Sequence, residues 1–319
     1  MISEDQYRQL KEHSPDVVMK DLHEKILDIY KEIKIICDKH NIRYFAEGGT
    51  WVGAALCQGF IPWDDDMDLR MPRKDYEKFL SVAPNELPDN IEIIDCTTSP
   101  YSTGNMLKVH DVDTTFIEST KRLSPEQWSG VFVDITPFDN GPKEKGAQDR
   151  LRRRGVKLFI YSLLRKKNHI NLSLNNYKRT WWYSLYTSNG LRPPANLVSV
   201  MLLYVYIRLY PISYFSKKLD KLWQRSSFNG SDVIVCPERP WEKGGRILYL
   251  PREYYSDSIN MKFCGSLMPV PIGYEQISEL SYGFKPTLEV DEKLKYKHLE
   301  NAIVDLSKPY IWYRGEVNK

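Results

Sequence analysis

The sequence predicts an α+β fold built on a mixed sheet, interrupted by a basic and mainly helical insertion. Three observations point there. Leu22, Ile26, Ile29, Ile33 and Ile36 step by three or four within residues 16–40, the period of an amphipathic helix. Short apolar runs recur from Arg43 to Ile135 with helix-like segments between them, the pattern of a sheet flanked by helices. From Arg150 to Lys221, fifteen Lys and Arg stand against one acid, Asp220, among long aliphatic runs.

After the first helix, Arg43–Glu47 reads as a short strand. The Gly48-Gly49 turn opens a short helix through Leu56. Asp66–Met71 reads as a strand, and Pro72 suits the start of a helix over Arg73–Val82. Strands are expected near Ile91–Asp95, Asn105–His110 and Thr114–Glu118, and a strong one at Val131–Ile135 before Pro137. Residues 143–226 read as mostly helical. Residues 227–319 are rich in Pro, Gly and Tyr, with short elements that fold back on the first part. The organisation expected is therefore a catalytic core over 1–142, the basic helical insertion over 143–226, and a C-terminal part over 227–319.

Composition is that of an ordinary globular chain of 319 residues. The five cysteines, Cys37, Cys57, Cys96, Cys236 and Cys264, form no Cys-x-x-Cys pair, and the N-terminus shows no signal peptide. A reducing, cytoplasmic setting without structural zinc is expected. The six histidines form no His-x-x-x-His pair, which argues against a zinc hydrolase.

Charge is uneven. The Arg150–Lys221 segment carries +14, so the remainder of a +3 chain stands at −11. A basic segment in an acidic protein implies an anionic partner. The run Asn196–Phe215 is nearly long enough to span a bilayer, but Arg208 and Pro211 interrupt it. It reads as a core helix, an interfacial helix or a span. An anionic membrane surface, on the inner face of the cell membrane, is one partner this segment suits.

The chemistry concentrates in Phe45-Ala-Glu-Gly-Gly-Thr-Trp51 and Phe60-Ile-Pro-Trp-Asp-Asp-Asp-Met-Asp-Leu-Arg70. On a strand, Asp64, Asp66 and Asp68 would share one face and Asp65 would point to the other. Like charges side by side repel, and a divalent oxygen-seeking cation, Mg²⁺ or Mn²⁺, relieves that repulsion. The alternative is a solvated acidic turn. Gly48, Gly49 and Thr50 beside it would let backbone N–H groups approach a phosphate. Asp66-Met67-Asp68 after a Gly-Gly-Thr turn and helix matches the nucleotidyltransferase-like pattern, which wants a further carboxylate on a later strand. Asp134, flanked by Val, Phe, Val and Ile, is the candidate, because an unpaired carboxylate is poorly placed there. Asp66, Asp68 and Asp134 are thus the candidate catalytic residues, and Asp64, Asp66, Asp68 and Asp134 the candidate metal ligands. Lys108, Arg70, Arg73 and His110 are candidate substrate contacts, each with a structural alternative. Trp51, Trp63, Trp128, Tyr101 and Trp241 are candidate ring faces for a cationic group.

The stretch from Ala46 to Phe79 closely resembles the LicD family, which includes the fukutin-related proteins. The resemblance returns at Lys108-Val-His-Asp111, Gly130–Asp139, Pro269–Tyr274 and Leu280–Pro286. It implies a nucleotidyltransferase-like fold and transfer of a phosphorylated alcohol from a CDP-linked donor to a glycan acceptor, free or lipid-linked. In bacterial members this is typically phosphocholine from CDP-choline to teichoic acid or lipopolysaccharide sugars; in fukutin-related members it is ribitol phosphate. The chain departs from the family pattern at Ala46-Glu47, Cys57-Gln58, Asn140 and Tyr282-Gly283-Phe284. Two other readings compete: a nucleotidyltransferase acting on RNA or a small molecule, and a non-catalytic membrane adaptor. No RNA-recognition motif supports the first, and nothing points to DNA.

Overall fold

The computed structural model describes residues 2–95, 106–166, 178, 180–224, 230–236, 248–289, 295, 299 and 302–317. In chain order the elements are α1 (Glu4–Glu12), α2 (Met19–His40), β1 (Phe45–Glu47), α3 (Gly49–Cys57), β2 (Asp68–Pro72), α4 (Arg73–Val82), β3 (Ile91–Ile94), β4 (Leu107–Asp111), β5 (Thr115–Ile117) and β6 (Phe132–Asn140). Next come α5 (Lys145–Lys166), α6 (Trp181–Ser188), α7 (Leu197–Leu209), α8 (Ile212–Trp223), β7 (Val233–Cys236), β8 (Leu248–Pro251), β9 (Ser258–Phe263), β10 (Ser266–Pro271), α9 (Tyr274–Tyr282), β11 (Ile303–Asp305) and α10 (Tyr310–Val317). The fold is α+β.

The chain divides into two compact units. The first comprises Met1–Ile94, Leu107–Thr136 and Tyr254–Lys319. Its sheet runs β1-β2-β6-β4-β3. β1 with β2, β4 with β6 and β3 with β4 are antiparallel. The Asp134 N–H donates to the Met67 carbonyl at 2.9 Å, and the Thr136 hydroxyl to that of Leu69 at 3.4 Å. Both residue numbers rise together, so β2 and β6 run parallel and the sheet is mixed.

Strand alternation divides that sheet. Ala46, Leu69, Met71, Leu107, Val109, Val133 and Ile135 belong to one core with Leu22, Ile26, Ile29, Ile33 and Ile36 of α2. The 3.6-residue period of α2 thus meets the two-residue period of the strands. α2 ends at Asn41 in the left-handed region (φ 51°), a conformation Asn tolerates. α4 starts at Arg73, immediately after Pro72. A β9–β10 hairpin and a β5–β11 pair complete the unit.

The second unit comprises Asp95–Met106 and Pro137–Glu253. There the end of β6 pairs with β7, and β7 with β8, all antiparallel. The sequence reading stopped the strand before Pro137; β6 continues through it to Asn140. The helices α5–α8 surround a core of Val156, Ile160, Leu164, Trp182, Tyr186, Val200, Ile207 and Phe215. No single helix among the described residues is long and apolar enough to cross a membrane.

Candidate active site

The turn between β1 and α3 sets the local geometry. Gly48 has φ 53° and ψ −126°, a combination closed to residues with a side chain. A Cβ there would lie 3.6 Å from Asp68 Oδ2 and 3.8 Å from the Tyr282 hydroxyl. A Cβ on Gly49 would collide with the Asp64 carboxylate. Two carboxylates therefore sit at the N-terminus of α3, where the helix dipole favours negative charge. The Asp68 N–H donates to Thr50 Oγ1 at 2.9 Å, tying the first turn of α3 to the start of β2.

The acidic run itself is not a strand. Residues 64–67 have no regular secondary structure, and β2 begins only at Asp68. The alternation that set Asp65 apart from Asp64 and Asp66 therefore does not operate, and this corrects the expected arrangement. Asp64, Asp65 and Asp66 each offer a carboxylate oxygen within 4.8 Å of the others. Asp68 and Asp134 do not join that group, although both are described. α2 braces the loop. His23 donates from Nε2 to the Asp64 carbonyl at 2.7 Å, and its ring stacks on Phe60 with centroids 4.1 Å apart. Burial lowers the His23 pKa against the pull of that bond and of Asp65, so the ring is neutral near pH 7.

Asp68 and Asp134 belong to a second set, a polar row across the sheet. Glu47 stands opposite Asp68, and Lys108 opposite Asp134. The bond from the Asp134 N–H to the Met67 carbonyl sets Asp134 beside Asp68 across the parallel pair. Residues opposed across neighbouring strands share a face, so Glu47, Asp68, Asp134 and Lys108 line one side of the sheet and the apolar core residues the other.

Lys108 Nζ lies 2.9 and 3.0 Å from the two Asp134 oxygens, 3.6 Å from Glu118, and 3.1 Å from the centre of the Phe132 ring. Burial works against its charge, but Asp134, Glu118 and Asp66 outweigh it and raise its pKa. Burial raises the Asp134 pKa, and Glu118 adds to it against Lys108. Burial would also raise Glu118, yet Lys108 and Lys121 hold it at about 2. Asp134 is thus not the lone buried acid its strand suggested: it has a cationic partner, and Lys108 is held by carboxylates.

The remaining predicted residues fall into place around this row. Arg70 is completely buried and its Nε donates to Glu47 at 2.8 Å, while the Tyr255 hydroxyl donates to the same Glu47 oxygen at 2.8 Å. The guanidinium braces β1 against β2 rather than facing solvent. Arg73 is partly exposed at the start of α4, over the Tyr76 ring at 5.3 Å. His110 is completely buried, and its Nδ1 accepts the Gly130 N–H at 3.2 Å. Burial first, then the Lys108 charge, lower its pKa to about 4. Its place is in the core, not on a substrate-facing surface.

Of the aromatic candidates, Trp51 and Trp128 are buried. Trp63 is partly exposed with Lys295 Nζ 4.3 Å from its ring centre. Tyr101 and Trp241 lie outside the described residues. Sequence reasoning did not single out His23, Glu47 or Glu118 for any role in the site. It also missed Tyr282 and Phe284, whose exposed rings stack with centroids 6.0 Å apart, the Tyr282 hydroxyl reaching toward Gly48. The late Tyr-Gly-Phe motif was the available signal for these two. Their distance from the Gly-Gly turn in sequence concealed the proximity.

A model of the LicD/FKTN/FKRP nucleotidyltransferase domain matches residues 41–159, which include the Gly48–Gly49 turn, the acidic loop and the whole polar row. Residues 41–159 are thus similar to the LicD-family nucleotidyltransferase domain. Similarity to one LicD protein extends well beyond that domain. The chain is 28% identical, over 87% of its length and 95% of the relative's, to the lipopolysaccharide cholinephosphotransferase LicD of Haemophilus influenzae. Shorter matches are 37% identity to an uncharacterised protein of Rickettsia typhi, over 21% of this chain and 18% of that protein, and 36% to one of Rickettsia prowazekii, over 21% of each. The matched region places its conspicuous acids in two settings, a loop at a helix N-terminus and a row on a sheet face.

Proposed function

We propose that the protein is a divalent-metal-dependent phosphotransferase that moves a phosphorylated alcohol from a CDP-linked donor to a glycan hydroxyl. Phosphocholine from CDP-choline is the leading donor, and a sugar of lipopolysaccharide or of another surface polymer precursor such as teichoic acid is the acceptor. One observation carries the reading. The clustered Asp64–Asp66 carboxylates, with Asp68 and Asp134 on adjoining strands, lie in a chain that aligns over 87% of its length with a lipopolysaccharide cholinephosphotransferase.

The donor set is three carboxylates within 4.8 Å of one another, without sulfur or imidazole. Such a set fits Mg²⁺ or Mn²⁺ and does not suit zinc. Asp64, Asp65 and Asp66 would hold the ion, with Asp68 and Asp134 alongside. When bound, the ion would neutralise the donor pyrophosphate and stabilise the leaving CMP.

The chain supplies the rest. Gly48 and Gly49, without side chains, let the Asp64 and Asp68 carboxylates close on the start of α3, where an ion they helped to hold would draw a phosphate to the turn. Lys108 contributes a permanent positive charge held in place by Asp134, Glu118 and the Phe132 ring. Removal of the acceptor proton falls to a carboxylate of the row, Asp68 or Asp134. The exposed Tyr282 and Phe284 rings offer faces to a quaternary ammonium near the Gly48 turn.

CMP release from CDP-choline, CDP-glycerol and CDP-ribitol, measured with a glycan acceptor in the presence of Mg²⁺ or EDTA, tests this reading. The expected result is metal-dependent release, fastest with CDP-choline. Failure of all three donors with Mg²⁺ and acceptor would reject the phosphotransferase.

A further inference from the structure

We infer that α7 is an interfacial helix that docks the second unit on an anionic lipid bilayer. The inference rests on a face of α7 that plays no part in the proposed chemistry. Val198, Met201, Leu202, Val205 and Leu209 are each at least half exposed. At roughly 100° per residue they fall within an arc of about 100° on one side of the helix. Val200 and Ile207 are buried in the core of the unit and project from the opposite side. α7 is therefore apolar on two faces, one packed on its own unit and one turned to solvent. A contiguous apolar stripe turned to solvent marks a surface that is covered in use.

Three further features select a bilayer surface as the occupant. The first is length. Thirteen residues make a helix of about 20 Å, too short for a hydrocarbon core of about 30 Å. The second is the bend at the end of the helix. α7 and α8 together have the length and composition of a span, but the chain turns by 94° between them. The apolar side chains of α8, among them Phe215, Leu219 and Trp223, are buried within the unit. Of this pair, α7 carries the exposed apolar stripe, so the helix lies on the surface rather than crossing it.

The third is charge. α7 contains no acid and one Arg, and the Arg150–Lys221 segment around it carries +14. Arg150, Arg153, Arg154, Lys157, Lys217, Lys218 and Lys221 are exposed on α5 and α8. An apolar stripe within a strongly basic unit matches the headgroup boundary of an anionic leaflet, where basic residues add attraction that salt screens. A soluble polyanion would use the charge and leave the stripe without a purpose.

Co-sedimentation of the full-length protein with vesicles tests this. Binding is expected to vesicles containing phosphatidylglycerol, to be weak with phosphatidylcholine alone, and to fall as salt rises. The triple substitution Leu202→Ser, Val205→Ser and Leu209→Ser leaves charge untouched and should weaken partitioning by about tenfold or more, at unchanged thermal stability. Arg153→Ser with Arg154→Ser should weaken it mainly at low salt. The inference is overturned if the protein stays in the supernatant with anionic vesicles at low salt. It is equally overturned if the triple variant binds as well as the parent, since charge alone would then account for docking. Concentration-dependent self-association that the triple variant abolishes, without vesicle binding, would assign the stripe to a second copy of the chain instead.

Discussion

The Asp64–Asp66 loop and Asp134 on β6 accommodate negative charge in opposite ways. In the loop, three carboxylates crowd within 4.8 Å of one another, against the start of α3 and beside the His23 bond to the Asp64 carbonyl. On β6, the Asp134 carboxylate is buried and held by a lysine that is itself buried. Asp66 ranks behind Asp134 and Glu118 among the charges that favour the Lys108 cation, so its loss leaves Lys108 with its two closest carboxylates. Loss of Lys108 leaves the buried Asp134 without its close cation. Structural and catalytic importance should therefore separate in the first region and coincide in the second.

The largest effect expected is on turnover at the loop. Asp66→Asn removes charge with little change of volume. It should lower CMP release by about a thousandfold or more, some 4 kcal/mol of barrier, while shifting the melting temperature by no more than about 2–4 °C. Activity near the parental level at saturating Mg²⁺ would break the comparison from the catalytic side.

On the strand the same experiment should strike the fold. Lys108→Met leaves the buried Asp134 without its close cation, while Glu118 keeps Lys121, and should destabilise the protein by about 3–5 kcal/mol, read from urea unfolding. Adding Asp134→Leu should restore much of that loss, because the pair is then replaced by apolar groups. If Lys108→Met unfolds like the parent, the ion pair is not holding the strand.

The pH dependence sharpens the difference further. His110 has a folded pKa of about 4 against an ordinary value of 6.5. The unfolded chain therefore binds the proton first, and stability should fall on acidification from about pH 6.5 to 4, by about 3 kcal/mol over the window. His110→Asn keeps an acceptor for the Gly130 N–H and should flatten that slope. Glu118 acts lower. Its depressed pKa supports the fold above its ordinary 4.5, and that support is lost as pH falls toward about 2. A stability curve unchanged by His110→Asn between pH 6.5 and 4 would remove the buried imidazole from the account.

The smallest effect concerns donor choice. Tyr282→Leu should raise KM for CDP-choline about three- to tenfold, the loss of one exposed ring face, and leave CDP-glycerol nearly unaffected. Equal changes for both donors would assign Tyr282 to the general architecture of the turn.

The sequence by itself determined those features that depend on local period and on single-residue chemistry. The helix of Leu22, Ile26, Ile29, Ile33 and Ile36, the start of α4 after Pro72, and the strands around Val109 and Val133 arise from side chains repeating at the pitch of each element. The Gly48–Gly49 turn and the importance of the Asp run were visible because few residue types satisfy those demands. What only the tertiary structure decided is pairing. The sequence does not show that Lys108 faces Asp134, since strand register is set by the turns and core packing of the whole sheet. Nor does it show that Arg70 belongs to Glu47, or that His110 is sealed in the core. Asp65 joined the acidic cluster because the chain at 64–67 is a loop, where alternation has no force. Tyr282 reaches the Gly48 turn from more than two hundred residues away along the chain, a proximity that local periodicity cannot encode.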